Sequence, residues 1–307
     1  MHAAIVGAGL AGLAAARALR RLKPDATLDI FDKGRGPGGR LATRRAELPS
    51  GRTLRFNHGA PAVHGRSPAF RDTIDSLART GAAKWTSDHA AVGLPAMNAI
   101  VAAMARDLPV RFETRVAAIE PAGDQFRLRE PEQPLGAFDR VILAIPAPQA
   151  AELARPIDPD LAEKLDGIAY APAWSLMLAP AEEPSADELP GDSQLIDRLL
   201  RTETGAWTAC ATPDWSRDNL ELSPDDAARA LAAAAARLHP AFADLRHAAA
   251  HRWRYARVAA PSDQPYLIGA SGRILCCGDA FAGPETLADA DAAVSSGRAA
   301  AQALAAR

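Results

Sequence analysis

The sequence predicts an α/β nucleotide-binding portion interleaved with a strand-rich α+β portion, and three observations carry this reading. A strand, a glycine cluster, a helix, a second strand and an acid stand in register over residues 2–32. Strands with two distinguishable faces follow after about Asp160, and a terminal strand and helix return to complete the opening unit.

The apolar run Ala3-Ala4-Ile5-Val6 reads as a buried parallel strand, and Gly7-Ala8-Gly9-Leu10-Ala11-Gly12 follows it directly. A helical pattern runs to about Leu22, and Thr27 to Phe31 gives a second strand ending at Asp32. In such a unit Gly7 permits the tight turn, Gly9 lets a pyrophosphate approach the backbone, and Gly12 lets helix and strand pack closely. The helix N-terminus offers free N–H groups to phosphates, and Asp32 stands where an acid receives ribose hydroxyls. The next stretch, Lys33 to Arg40, is too glycine-rich for a surface helix; Gly38 and Gly39 can bring backbone donors to a ligand, and Arg40 can add a cationic fork toward phosphate. It is not a P-loop, since no Lys-Ser or Lys-Thr closes it.

Composition bounds the function. The chain has 307 residues, 48 % hydrophobic and 23 % charged, with a net charge of -2, so nothing in the balance points to nucleic acid or an anionic membrane as partner. Cys210, Cys276 and Cys277 are an odd set without metal-like spacing, which fits thiols in a reducing compartment, and the start of the chain leaves no room for a signal segment. A cytoplasmic protein is the expectation. Cys276 and Cys277 are adjacent on a strand and read as structural thiols, while His58, His64 and His251 have no supporting acids at ligand spacing, so no metal site is expected.

Along the chain, residues 54–59 predict a short strand and turn, and Ser67 to Arg79 a helix with Ser67 as N-cap. Met97 to Ala105 predicts a helix. Residues 110–113 and 115–120 read as a strand and its continuation, paired with 125–129, and 138–145 as one apolar strand. Residues 174–178 and 206–211 are strands, with a surface loop over 180–192 between them; Ser223 caps a helix running through Leu238. Residues 248–257 read as a strand returning to the nucleotide portion. Residues 274–279 form a buried strand ending in Gly278 and Asp279, and Pro284 and Glu285 open a last helix whose inner face includes Leu287. The resulting division assigns 1–50, 95–150 and 248–307 to the nucleotide domain, and 51–94 with 151–247 to a substrate domain.

Over almost the whole chain the sequence resembles the renalase-like branch of the flavin amine-oxidase superfamily. The resemblance rests on the opening glycine cluster, Phe31-Asp32-Lys33 with Gly38-Gly39-Arg40, Ala144 to Gln149, Trp215 to Leu220, His251 to Ala256 and Cys277-Gly278-Asp279. It implies a Rossmann-type FAD-binding domain interleaved with a substrate domain built on a mixed or antiparallel sheet, with FAD held non-covalently. Carried onto this sequence, Gly7, Gly9 and Gly12 meet the pyrophosphate, Asp32 the adenosine ribose, and Lys33, Gly38, Gly39 and Arg40 the phosphate or flavin side. Val116 meets adenine through its backbone, Gly278 and Asp279 lie at the flavin-proximal end, and the last helix, with Leu287 near its start, points its N-terminus toward the ring.

The implied reaction is oxidation of a dihydronicotinamide, an isomeric NAD(P)H or a similar small hydride donor, with O2 as acceptor giving H2O2. Flavin amine oxidation is one alternative. A non-catalytic FAD-binding regulator is another, motivated by Gly59-Ala60-Pro61-Ala62 where the family carries a glutamine and a tyrosine. A plain NAD-dependent dehydrogenase leaves Gly38-Gly39-Arg40 without a role. For the donor site the candidates are His251, Trp253 and Tyr255, whose period-two spacing puts them on one strand face, together with His58. His251 can orient an amide, relay a proton, or be a structural histidine, and aromatic rings on an inner sheet face are equally what a plain core uses.

Overall fold

A computed structural model describes residues 1–281 and 289–307, which fall into two compact units, 1–39, 62–169 and 258–307 in the first and 40–61 and 170–257 in the second. The first unit is built on a six-stranded sheet in the order Leu267–Ile268, Ile274–Cys276, Arg140–Leu143, His2–Val6, Thr27–Phe31, Val110–Arg111. Its pairings are parallel except for the Leu267–Ile268 edge. The opening strand lies inside the sheet, with Ile5 opposite both Ile30 and Ile142, which is why it reads as a continuous apolar run.

The helix Leu10–Leu22 packs on the last helix, Ala290–Ala305. A Cβ at Gly297 would stand 2.2 Å from the Ala11 carbonyl oxygen, so the small residues of the last helix are what let the two backbones approach. The chain thus does return to its beginning, as the sequence predicts.

Around this sheet stand a three-stranded antiparallel sheet, Ala118–Ala122, Gln125–Arg129 and Pro134–Phe138, and a smaller one from Val63–His64, Ala83–Ser87 and Ala90–Gly93. The helix Pro68–Arg79 begins as expected, Ser67 accepting from the Phe70 N–H at 3.1 Å. Two expected strands divide. Residues 110–120 are not one strand and its continuation: Glu113 takes φ 54°, the Thr114 N–H bonds to the Asp32 carbonyl, and Val110–Arg111 and Ala118–Ala122 enter different sheets. Residues 138–145 break at Asp139, whose carboxylate accepts from the His2 N–H at 2.8 Å and from Gln125 Nε2 at 2.9 Å.

The second unit is a five-stranded sheet, Glu188–Pro190, Ile196–Glu203, Ala206–Ala211, Tyr170–Pro180, Leu245–Val258, with the hairpin Thr43–Glu47 and Thr53–Asn57. Alternation along Tyr170–Pro180 explains its layers. Trp174, Leu176 and Leu178 pack with Trp207, Phe242 and the helix Pro224–Leu238, while Met177 and Ala179 pack with Leu54 and Phe56 of the hairpin.

The units divide the chain at other places than the sequence-based boundaries. Residues 62–94, expected with the substrate portion, cluster in the first unit; residues 248–257, expected to return to the nucleotide sheet, belong to the long strand Leu245–Val258 of the second unit. The same period-two pattern serves either sheet, so it could not choose between them. Part of the expected 180–192 loop is the edge strand Glu188–Pro190. Among the described residues no helix is long and apolar enough to cross a membrane, and no group of three or more His, Cys, Asp or Glu side chains could hold a metal ion.

Candidate active site

The glycine cluster of the first unit has the geometry that would suit a phosphate cradle. Gly7 takes φ +107°, and a Cβ there would lie 2.5 Å from the Ala144 carbonyl oxygen; at Gly12 a Cβ would lie 1.9 Å from the Gly7 carbonyl oxygen. Both positions are closed to a side chain by backbone, the strain glycine alone avoids. Around Gly9 and Gly278 the reverse holds: among the described residues nothing stands within 4 Å of an added Cβ. No side chain caps the helix Leu10–Leu22, whose first-turn N–H groups and positive dipole end are suited to an anion.

Asp32 organises the cradle as well as facing it. Its carboxylate accepts the Ala8 N–H and the Gly34 N–H, each at 2.7 Å, and so ties the first glycine segment to the second. The two segments also touch, since a Cβ at Gly39 would stand 3.6 Å from Gly9 Cα. The Asp32 and Gly34 carbonyls receive the Thr114 and Glu113 N–H groups, which brings the chain leading to buried Val116 alongside Asp32. Lys33 is exposed and Gly38 buried. At the other end of the unit the Gly278 N–H donates to Ser296 Oγ on the last helix at 3.1 Å, and Asp279 is buried. Leu287 and the expected helix start at Pro284 and Glu285 lie outside the described residues. Burial pushes the Cys276 thiol up and the Cys277 thiol up to about 12, so both stay protonated as structural thiols do.

Three of the four expected donor-site residues meet in the second unit. His58 and Trp253 stack with ring centroids 5.4 Å apart, and His251 stands edge-on to both, 4.8 Å from His58 and 4.4 Å from Trp253. The His58 carbonyl oxygen accepts from Trp253 Nε1 and from Ser175 Oγ, each at 2.8 Å. Tyr255 continues the same strand face but pairs with Tyr170 instead, 5.7 Å away. The alternate residues do take the other face: Arg252 lies over Trp174 at 5.8 Å and Arg254 pairs with Glu221 at 2.8 Å. Arg40 belongs to this unit, with Nη1 3.5 Å from the Ala256 carbonyl oxygen. His64 is exposed on its short strand in the first unit.

Burial, the neighbouring His251 and the Arg44 guanidinium together push the His58 imidazole down to about 4. Burial and then Arg44 lower His251 and also His247, which lies 5.3 Å from Phe56. The imidazoles of the cluster are thus shifted toward their neutral forms, and among the described residues no carboxylate is among the groups acting on them. Ser175 and His247 escaped the sequence reading. The period-two register from His251 back to His247 was a usable signal for one of them; the other approaches from an element whose pairing no local pattern announces.

The family described as "NAD(P)-binding Rossmann-like domain" matches residues 5–77, and "Flavin containing amine oxidoreductase" matches residues 87–305. Among solved structures the chain is similar to a protein assigned as a protoporphyrinogen oxidase from Exiguobacterium sp. 255-15, at 13% identity and a TM-score of 0.66, covering 99% of this chain and 98% of that one. It is similar also to wild-type putrescine oxidase bound to putrescine, at 15% identity and 0.62 over 100% of both chains. Cyclohexylamine oxidase from Brevibacterium oxydans IH-35A matches at 13% and 0.59, over 99% and 98%. At these identities the structures show a shared fold. The family match, which spans most of the chain and agrees with the glycine cradle, carries the assignment: the chain belongs to the flavin containing amine oxidoreductase family and is an FAD-dependent oxidoreductase.

Proposed function

We propose that this enzyme is an oxidase that takes two electrons from a small amine and delivers them to O2. The family match and the amine oxidases among its structural neighbours support an amine rather than the dihydronicotinamide that the renalase-like resemblance implies. In the first unit the open backbone at Gly9 and Gly278, the uncapped helix and the Asp32 carboxylate suit FAD. When bound, FAD supplies the two-electron acceptor and the route to oxygen. The balance is RCH2NH2 + O2 → RCH=NH + H2O2, with water then hydrolysing the imine.

The observation that carries the donor reading is the packed ring cluster of His58, His251 and Trp253. Burial and Arg44 hold its imidazoles toward the neutral form, and a largely desolvated surface of that kind penalises an ammonium as it penalises an imidazolium. The cluster thus selects the donor with its reacting nitrogen uncharged, with half-buried Trp253 and His251 to orient it and buried His58 stacked behind them. A dihydronicotinamide is the second reading, favoured by the flat aromatic faces and by the Arg44 guanidinium, which suits a donor bearing phosphates.

Anaerobic mixing of the FAD-loaded enzyme with a panel of amines and isomeric NAD(P)H preparations tests both. Bleaching of the flavin by an amine, with a rate that rises with pH up to the amine's own pKa, is the expected result. Bleaching by a dihydronicotinamide alone moves the assignment to the second reading, and bleaching by neither overturns both.

A further inference from the structure

We propose that Arg44, with the imidazoles of His247 and His251, forms a receptor for an anionic group, a carboxylate or a phosphate, carried by the electron donor. The word donor rests on the oxidoreductase reading above; the receptor itself rests on the geometry of the second unit.

The hairpin register sets Arg44 directly opposite Phe56, and residues directly opposite on paired strands project from the same face. Phe56 is fully buried in the cluster with Met177 and Leu54, its ring beside His247. Arg44 therefore leaves the hairpin on the side that meets the sheet, toward the face of Leu245–Val258 that carries His247, His251 and Trp253. It is exposed, and among the described residues it has no ion pair. Its sequence neighbour Arg45 stands on the opposite face, across from Arg55, which Glu203 holds at 3.4 Å. Only one of the two arginines of this strand is thus turned to the histidine face.

Two further observations point to an anion. His247 Nε2 is shielded from solvent and, among the described residues, has no hydrogen-bond partner, an orphan that an anion satisfies once the ring turns to present it. The Arg44 guanidinium is close enough to act on His58, His247 and His251, and no acid acts on any of the three. An ammonium group would find positive charge and desolvation here. A carboxylate or phosphate would find a guanidinium fork and imidazole N–H donors, the arrangement in which charge-assisted bonds are strongest. The receptor therefore favours amines that also bear an acidic group, or phosphate-bearing donors, over diamines.

The test is a histidine ring NMR titration of the FAD-loaded enzyme with inorganic phosphate and, separately, acetate. The expected result is saturable movement of the His247 and His251 signals, with affinity falling about tenfold or more in R44Q and unchanged in R45Q. R44K keeps the charge without the fork and is expected between the two. Tighter acetate than phosphate binding assigns an amino-acid-like donor, and the reverse a phosphate-bearing one. Silence with both anions, or R44Q behaving as the parent, overturns the receptor. If uncharged amines bleach the flavin while both titrations are silent, the receptor falls and the oxidase reading stands; a positive titration without bleaching by any donor does the opposite.

Discussion

Trp253 Nε1 donates to the carbonyl oxygen of His58 at 2.8 Å, joining the long strand Leu245–Val258 to the end of the hairpin through one hydrogen bond. The same carbonyl takes the Ser175 hydroxyl, so the segment carrying His58 is held from two strands of the sheet. W253F removes the donor and keeps most of the ring. The loss of one part-buried hydrogen bond is expected to lower stability by about 1 kcal/mol, read as a reduced urea midpoint at unchanged m. Donor reduction of the flavin is expected to slow more than FAD binding weakens, because the bond sets ring orientation in the second unit, whereas the glycine cradle belongs to the first.

The ring cluster also makes stability pH-dependent. His58 titrates near 6.5 when unfolded and about 4 when folded, so above pH 6.5 the neutral ring is shared by both states. Between pH 6.5 and 4 the unfolded chain binds a proton that the folded one refuses, and stability falls through that window. The loss assignable to His58 is on the order of 3 kcal/mol, with His247 and His251 shifted in the same direction. H58N is expected to flatten the decline of the urea midpoint between pH 6.5 and 4; an equally steep decline in the variant would assign it elsewhere.

In the cradle, Asp32 accepts two backbone N–H groups through its two oxygens. D32N must turn its amide nitrogen toward one of them, leaving two donors face to face. FAD affinity is expected to fall at least tenfold, about 1.4 kcal/mol, measured by flavin fluorescence on titration of the apoprotein. G12A is expected to be more severe, since its Cβ has no room beside the Gly7 carbonyl.

Much of this cradle was legible because it is local. Gly7, Gly9, Gly12 and Asp32 lie within one βαβ unit, where the spacing of residue types fixes the three-dimensional arrangement. The return of the last helix was expected because a terminal strand and helix were needed to complete the opening unit; its close approach to Ala11 at Gly297 is seen only in the structure. The ring cluster of His58, His251 and Trp253 was half legible. A strand shows its alternation in sequence, hence His251 and Trp253, but not which sheet it joins, and so residues 248–257 were expected in the wrong sheet. Ser175 was hidden because cross-strand register and sheet order are decided by tertiary packing.

Asp291 was hidden for the same reason, and it supports the last prediction. By sequence it is an unremarked acid near the start of the final helix, yet it is fully buried. Its carboxylate accepts the Arg66 N–H at 2.8 Å and the Ser67 N–H at 3.1 Å, and receives the Ser67 hydroxyl as well. Ser67 is at once the N-cap of Pro68–Arg79, so one carboxylate fixes the start of that helix against the final one. An asparagine has one acceptor oxygen for three donors and places two new N–H groups among them. D291N is expected to lose about 3 kcal/mol by urea unfolding, the range for breaking a buried, charge-assisted network. D291A with S67A removes both ends, and a double-mutant cycle on the pair is expected to show a coupling of at least about 1 kcal/mol. Additive losses would mean that the two side chains stabilise the helix starts independently, and that the contact between them does not organise this end of the unit.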